Sequence, residues 1–124
     1  MQPILLTITA AVMVATMLVH SILGQRRLIR PLLDEHAGVM QRPLARFIVP
    51  FAWHLMSLLG FIVAAVFLAW AWAPEYARTI GLAATGTIFT IAGLVDAIGS
   101  RGEHVGWPFL TVIGLLSFGA LAIS

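Results

Sequence analysis

Four apolar stretches, each close to the length that crosses a bilayer, constrain this chain more than any other feature of its sequence. They cover residues 3–23, 50–72, 79–98 and 107–123, and about 20 helical residues span a hydrocarbon core. In lipid, backbone polar groups must bond within their own segment, which a helix achieves and an open strand does not. We therefore predict an all-α integral membrane protein, a single domain over residues 1–124 built as a four-helix bundle.

The composition supports a membrane class and excludes several others. The chain is 60% hydrophobic and only 10% charged, which leaves too few charged residues to cover a soluble domain. It contains no cysteine, so disulfides and thiolate metal sites are excluded. The basic residues cluster beside the apolar stretches instead of forming a separate basic domain, and we predict no nucleic-acid partner.

The distribution of arginine predicts an orientation. Cytoplasmic loops are enriched in basic residues, and Arg78 is the single arginine between the second and third spans. The other six lie in the first and third loops, so we expect an inner-membrane, multi-pass protein with both termini periplasmic or exterior. Five arginines in the first loop are candidate contacts for anionic lipid headgroups: Arg26, Arg27, Arg30, Arg42 and Arg46.

Prolines and the spacing of apolar residues predict an additional short helix and the starts of two spans. Apolar residues recur at helical spacing after Pro31, which predicts a short interfacial helix over residues 31–40 in the first cytoplasmic loop. Pro50 and Pro108 are placed at the beginnings of the second and fourth spans, because the first turn of a helix does not need the missing N–H.

Four polar side chains are predicted to lie at similar depth, in the cytoplasmic leaflet: His20, His54, Asp96 and His104. Three imidazoles and one carboxylate form a ligand set that a divalent metal accepts, if the helices bring them together. The alternative is that each side chain reaches water from a helix end, with Asp96 paired to Arg101. His54 is the strongest single candidate, because it lies inside its span.

Haem b is a second possible ligand. Two neutral histidines on neighbouring helices can bind haem iron axially, which would require His20 and His54. Arg26, Arg27 or Arg30 could then pair with the propionates. A quinone-like headgroup is the third ligand that a histidine-lined site in the membrane could bind.

Small residues are concentrated in the third span, where they allow close helix approach. Gly86 and Gly93 are seven residues apart and nearly share one face, so they suit an internal helix pair or a homodimer seam equally well. Sequence motifs of hydrolases and metalloproteases are missing. We therefore predict no catalytic residues.

Residues 20–32, the pair Trp53 and His54, and residues 104–108 resemble small four-helix inner-membrane proteins of bacteria. That resemblance implies the fold, but no activity is assigned to the group. The chain lacks the membrane-embedded glutamate of small multidrug transporters and the asparagine-bearing pore motif of fluoride channels.

Three functions remain open from the sequence. The first is a binding protein whose histidines hold a metal, haem or a quinone-like ligand at the cytoplasmic leaflet. The second is a non-catalytic accessory or assembly subunit of a larger membrane complex, or a homodimer. The third is a small transporter, although the outer halves of the first three spans show no continuous polar path.

Overall fold

In the computed structural model, which describes residues 1–123, 89% of the chain is helical. That range contains no β-strand, so the predicted all-α class is confirmed. Five α-helices are formed, one of them very short: α1 (Gln2–Gly24), α2 (Arg30–Asp34), α3 (Pro43–Trp72), α4 (Ala77–Gly99) and α5 (Trp107–Ala122).

Three helical segments are long and apolar enough to cross a membrane. They are Gln2–Asp34, Pro43–Trp72 and Pro74–Gly99. The fourth, α5, is apolar but has 16 residues, which gives a length of about 24 Å. Length and composition are thus compatible with a membrane protein, with α5 the shortest of its long helices.

The prediction of a separate interfacial helix over residues 31–40 is wrong. α1 instead continues through a π-helical turn, Gln25–Ile29, directly into α2. Pro31 has no N–H to donate to the carbonyl four residues earlier, and a π turn absorbs such a gap. The Arg30 N–H accordingly reaches the Gln25 carbonyl, five residues back. The proline therefore modifies a continuing helix and does not start a new one.

The helix ends soon after Asp34, because the backbone turns left-handed. His36 has φ of 49° and Gly38 has φ of 54°, and neither value continues a right-handed helix. A single 3-10 turn, Gly38–Gln41, then leads to α3. Residues 31–40 are thus divided between the end of one helix and a turn.

α3 begins at Pro43, seven residues before the predicted start at Pro50. Arg42 is extended, with φ of −84° and ψ of 126°, and Pro43 occupies the first turn, where its missing N–H has no intrahelical partner to lose. Pro50 lies inside the helix. Pro108 is in the first turn of α5, as predicted.

The long helices pack in series. α3 packs against α1 on one side and α4 on another, and α5 packs against α4. A closed four-helix bundle would also need extensive contact between α1 and α5. Within residues 1–123, these two helices make no extensive contact. The α3–α4 pair is therefore central, with α1 and α5 at the two ends of the series.

Glycines bring α4 and α5 into backbone contact. A Cβ at Gly93 would lie 2.7 Å from the Thr111 backbone nitrogen, and one at Gly86 would lie 2.8 Å from the Phe118 ring. Both glycines are buried. The structure thus places Gly86 and Gly93 in an internal helix pair, which was one of the two arrangements that the sequence left open.

Side-chain hydrogen bonds join α1 to α3. Near one end of the pair, the Trp72 indole N–H donates to the Thr7 hydroxyl at 2.8 Å. Near the other end, the Trp53 indole N–H donates to the His20 carbonyl at 3.0 Å. The Trp72 bond lies at an exposed position and the Trp53 bond at a half-buried one. Both bonds link α1 to α3, near opposite ends of the pair.

Candidate functional site

His54 is held between two polar side chains of the first helical segment. Its Nδ1 lies 2.6 Å from the Ser21 hydroxyl, and its Nε2 lies 3.0 Å from the Gln25 amide oxygen. An amide oxygen only accepts, so Nε2 carries the proton, and Nδ1 of the neutral ring accepts from Ser21. Both ring nitrogens are therefore occupied, and a metal or haem iron would have to displace one of these partners.

The π-helical turn is part of this site, because it contains Gln25. The turn begins at that residue, and π turns within helices often occur at functional positions. Ser21 lies one helical turn earlier, so both side chains project from the same side of the helix. Sequence reasoning missed both residues, although their four-residue spacing next to His20 was a usable signal.

His20 is stacked and does not join His54 in a shared ligand set. Its ring lies parallel to the Trp53 ring, with centroids 4.1 Å apart and an interplanar angle of 10°. Its Nε2 is buried and has no hydrogen-bond partner in the described part of the chain. Stacking on an indole accounts for the position of the ring without invoking a ligand.

Asp96 and His104 form a second, separate cluster. The Asp96 carboxylate is 0% exposed, and its Oδ2 lies 2.6 Å from His104 Nδ1. The His104 side chain is 30% exposed. A buried carboxylate needs a close donor, and the loop between α4 and α5 supplies that donor, so the pair joins the loop to the end of α4.

The second carboxylate oxygen, Asp96 Oδ1, is buried and has no hydrogen-bond partner among residues 1–123. Arg101 does not supply one, so the pairing considered from the sequence is replaced by the contact with His104. The neighbouring Ser100 hydroxyl donates at 2.6 Å to the backbone carbonyl of Asp96, not to its carboxylate.

The four predicted site residues are thus distributed over two clusters and one stacked ring. Across residues 1–123, no three His, Asp or Glu side chains are grouped as ligands of one metal ion. Asp96 and His104 are brought together, and among residues 1–123 neither of them hydrogen-bonds to His54.

An apolar groove between α3 and α4, with a volume of about 540 Å³, lies beside His54. We call it the α3–α4 groove. The His54 ring forms part of its wall, and every other lining side chain is apolar. From α3 come Phe47, Pro50, Phe51, Leu55 and Leu58, and from α4 come Ile88, Ile91, Ala92 and Val95.

A second hollow lies at the end of the same helix pair, with a volume of about 600 Å³. We call it the end pocket. It is formed where α3 begins and α4 ends, and three of its lining residues are charged: Arg42, Arg101 and Glu103. The others are Pro43, Leu44, Gly99 and Ser100. It is therefore polar where the groove is apolar.

The two hollows follow one face of the helix pair. On α3, Pro43 of the end pocket lies one turn before Phe47 of the groove, and on α4, Gly99 lies one turn after Val95. Residues four apart share a helix face. The Phe47 ring lies against Gly99, where a Cβ would overlap it, so this ring is placed between the groove and the end pocket.

The first-loop arginines occupy different settings. Arg46 donates to the Leu33 carbonyl at 2.7 Å, which fastens α3 to α2. Arg26, Arg27 and Arg30 are exposed, and their guanidinium groups make no hydrogen bond or ion pair with any described residue. They are available to solvent.

Comparison with protein-family models, curated proteins and solved structures finds no match to this chain.

Proposed function

We propose that this chain is an integral inner-membrane protein whose four long helices cross the bilayer. Three helical segments have the necessary length and apolar composition. Arginine is concentrated at the end that carries Arg42 and Arg101, and Arg78 lies alone near the opposite end. The positive-inside bias orients the first end toward the cytoplasm and both termini toward the periplasm or exterior.

Because the chain contains no cysteine, single cysteines can test this orientation. Glu75→Cys, in the short turn before α4, is expected to react with a membrane-impermeant maleimide applied outside intact cells. Arg30→Cys is expected to react only after the cells are opened. The reverse labelling pattern would contradict the orientation, and release of the protein by alkaline washing would contradict membrane insertion.

Within the membrane, we propose that the protein binds an amphipathic molecule whose apolar part lies in the α3–α4 groove. The observation that carries this proposal is the groove itself, about 540 Å³ lined by apolar side chains and the His54 ring. Ligand sites typically combine a large apolar lining with few polar groups. Burial of apolar ligand surface against Phe51, Leu55 and Ile91 would supply the main attraction.

A metal ion or haem fits this site less well, because the candidate ligand side chains already have partners within the chain. Axial ligation by His54 would break a bond to Ser21 or Gln25, and the other predicted axial ligand, His20, is stacked on Trp53. Asp96 has its own partner in His104. An apolar ligand requires none of these contacts to break, which is why the geometry favours it.

Identification of the bound molecule tests the proposal. The full chain would be purified in mild detergent and extracted with organic solvent, and the extract analysed by mass spectrometry. We expect one class of long-chain amphiphile near stoichiometric amount. Val95→Trp, which places a large ring in the groove, is expected to reduce that amount at least several-fold.

Val112→Trp is the matched control, because Val112 is 51% exposed on α5 and Val95 is 46% exposed in the groove. Equal ligand content in the two variants would contradict binding in the groove. Visible absorption and elemental analysis of the same sample test the other ligands, and a stoichiometric haem or metal would overturn the preference for an amphiphile.

An accessory role in a larger membrane complex is the second candidate. The small-residue face of α4 is occupied by α5 within the chain, so a partner would pack instead on the exposed apolar side chains of α1, among them Ile4, Ile8 and Val12. Copurification of one protein at fixed stoichiometry, lost in Ile8→Arg, would support this role. Recovery of the chain alone would contradict it.

A further inference from the structure

We propose that the end pocket binds the phosphate headgroup of an anionic amphiphile whose apolar chain lies in the α3–α4 groove. The inference rests on the proposed binding function and adds the chemical class of the headgroup. It differs from the general prediction of lipid contacts along the first loop, because it assigns one site that includes Arg101 of the third loop.

The charges of the end pocket favour an anion. Arg42 and Arg101 contribute two positive charges and Glu103 one negative charge, so the lining has a net charge of +1. Neither guanidinium makes a hydrogen bond or an ion pair with any residue from 1 to 123. Guanidinium presents several N–H donors in one plane, which suits phosphate oxygens.

The backbone at Arg101 gives independent support. The Gly102 N–H bonds the Ala97 carbonyl, and the Arg101 N–H bonds the Ile98 carbonyl, which together form a Schellman motif at the end of α4. Arg101 occupies the left-handed position of this motif, with φ of 54°. Glycine is the usual residue there because it is not strained. Arg101 therefore holds a strained backbone conformation of a kind that clusters at ligand-binding sites.

The alignment of the two hollows selects an amphiphile over a free anion. The end pocket continues the groove by one turn on each helix, with Phe47 between them. Along α3 the groove extends from Phe47 to Leu58, about 16 Å of helix. A molecule with a phosphate at one end and an apolar chain at the other could place the phosphate in the end pocket and the chain in the groove.

The test is a titration of the full chain in neutral detergent, followed by native mass spectrometry. The probes are dioleoyl phosphatidate, dioleoylglycerol with the same chains but no phosphate, and inorganic phosphate with no chain. We expect phosphatidate to bind at least tenfold more tightly than either other probe. Arg101→Gly is expected to weaken phosphatidate binding by about tenfold, as for loss of one charge-assisted contact, and to leave dioleoylglycerol binding unchanged.

Arg101→Gly suits this test because glycine relieves the left-handed strain, so the variant is expected to unfold no more easily than the wild type. Arg42→Gln provides a second variant at the same pocket, with the same expected selective loss. Arg78→Gln removes one exposed charge at the other end of the helices and is expected to leave both affinities unchanged.

Three outcomes would overturn the inference. Equal affinity for phosphatidate and dioleoylglycerol would contradict a headgroup site. Unchanged phosphatidate affinity in both Arg101→Gly and Arg42→Gln would contradict it as well. Inorganic phosphate binding as tightly as phosphatidate would indicate an anion site independent of the groove. The groove itself is tested separately with Val95→Trp, which is expected to weaken both long-chain probes; if it weakens neither, the proposed function fails as well.

Discussion

The two interfaces of α4 differ in how completely they are closed. Toward α5, Gly86, Gly93 and Gly114 allow the helices to approach until added methyl groups would overlap the neighbouring helix. Toward α3, larger residues keep the helices apart and leave the α3–α4 groove of about 540 Å³. The same helix thus presents a closed face and an open face, and only the open face has room for a ligand.

This difference follows from the side chains on each face of α4. Small residues permit backbone contact between helices. Ile88, Ile91 and Val95 face the groove instead, and their branched side chains prevent such an approach. Substitutions on the closed side should therefore change stability, and those on the open side should change binding.

The largest expected effect on the closed side is at His104. His104→Phe removes the side chain that hydrogen-bonds the fully buried Asp96 carboxylate, which should lower the free energy of unfolding by about 3 kcal/mol. Unfolding in denaturing detergent, followed by circular dichroism, measures this loss. In the double variant Asp96→Leu with His104→Phe, the free energy of unfolding should fall by less than the sum of the two single losses. If the two losses simply add, the contact contributes nothing to stability.

The next effect tests the close helix approach directly. Gly93→Ala places a methyl group against the Thr111 backbone and should lower the free energy of unfolding by about 2 kcal/mol. Gly119→Ala is the matched control on α5, since a Cβ there meets nothing within 4 Å; it should be neutral or stabilising by up to about 1 kcal/mol. Equal effects at the two positions would mean that α4 and α5 are not in backbone contact.

A smaller effect is expected where α1 meets α3. His54→Phe removes the hydrogen bonds to Ser21 and Gln25 and should lower the free energy of unfolding by about 1 kcal/mol. In a double-mutant cycle, Ser21→Ala and His54→Phe should be coupled, whereas Thr16→Ala and His54→Phe should not, because the Thr16 hydroxyl bonds the Val12 carbonyl of its own helix. Absence of coupling with Ser21 would contradict this arrangement of the His54 ring.

The smallest expected stability effect lies on the open side. Val95→Trp adds more volume than Gly93→Ala, yet the groove has space for it, so the free energy of unfolding should change by less than about 1 kcal/mol. The same unfolding assay, on samples stripped of copurified lipid, gives the comparison. A loss larger than that of Gly93→Ala would mean that the groove is closed in solution.

The sequence predicted the helices well because their signal is local. Apolar stretches of near-spanning length and the first-turn position of Pro108 both follow from neighbouring residues. The prediction that a new helix begins at Pro31 was wrong, because a proline can either begin a helix or be absorbed by a π turn. The outcome depends on contacts between helices, such as that of Gln25 with His54. The start of α3 at Pro43 instead of Pro50 has the same origin, because both prolines suit a first turn.

The site was less predictable, because it depends on which helix faces meet. The sequence predicts a similar depth for the four polar residues, but their division into an Asp96–His104 pair and a separate His54 cluster depends on the packing order. The groove is lined by residues that the sequence marks only as apolar. No pattern in one helix indicates a space left between two.

Photocrosslinking tests the central claim, that the α3–α4 groove holds an apolar chain, most directly. A phosphatidate with a photoactivatable group in its chain would be incubated with the full protein in neutral detergent, irradiated, and the labelled peptides mapped. We predict labelling enriched at Phe51, Leu55 and Ile91 and suppressed in Val95→Trp. Equal labelling of exposed α5 residues such as Ile113 and Leu116, unaffected by Val95→Trp, would contradict the claim.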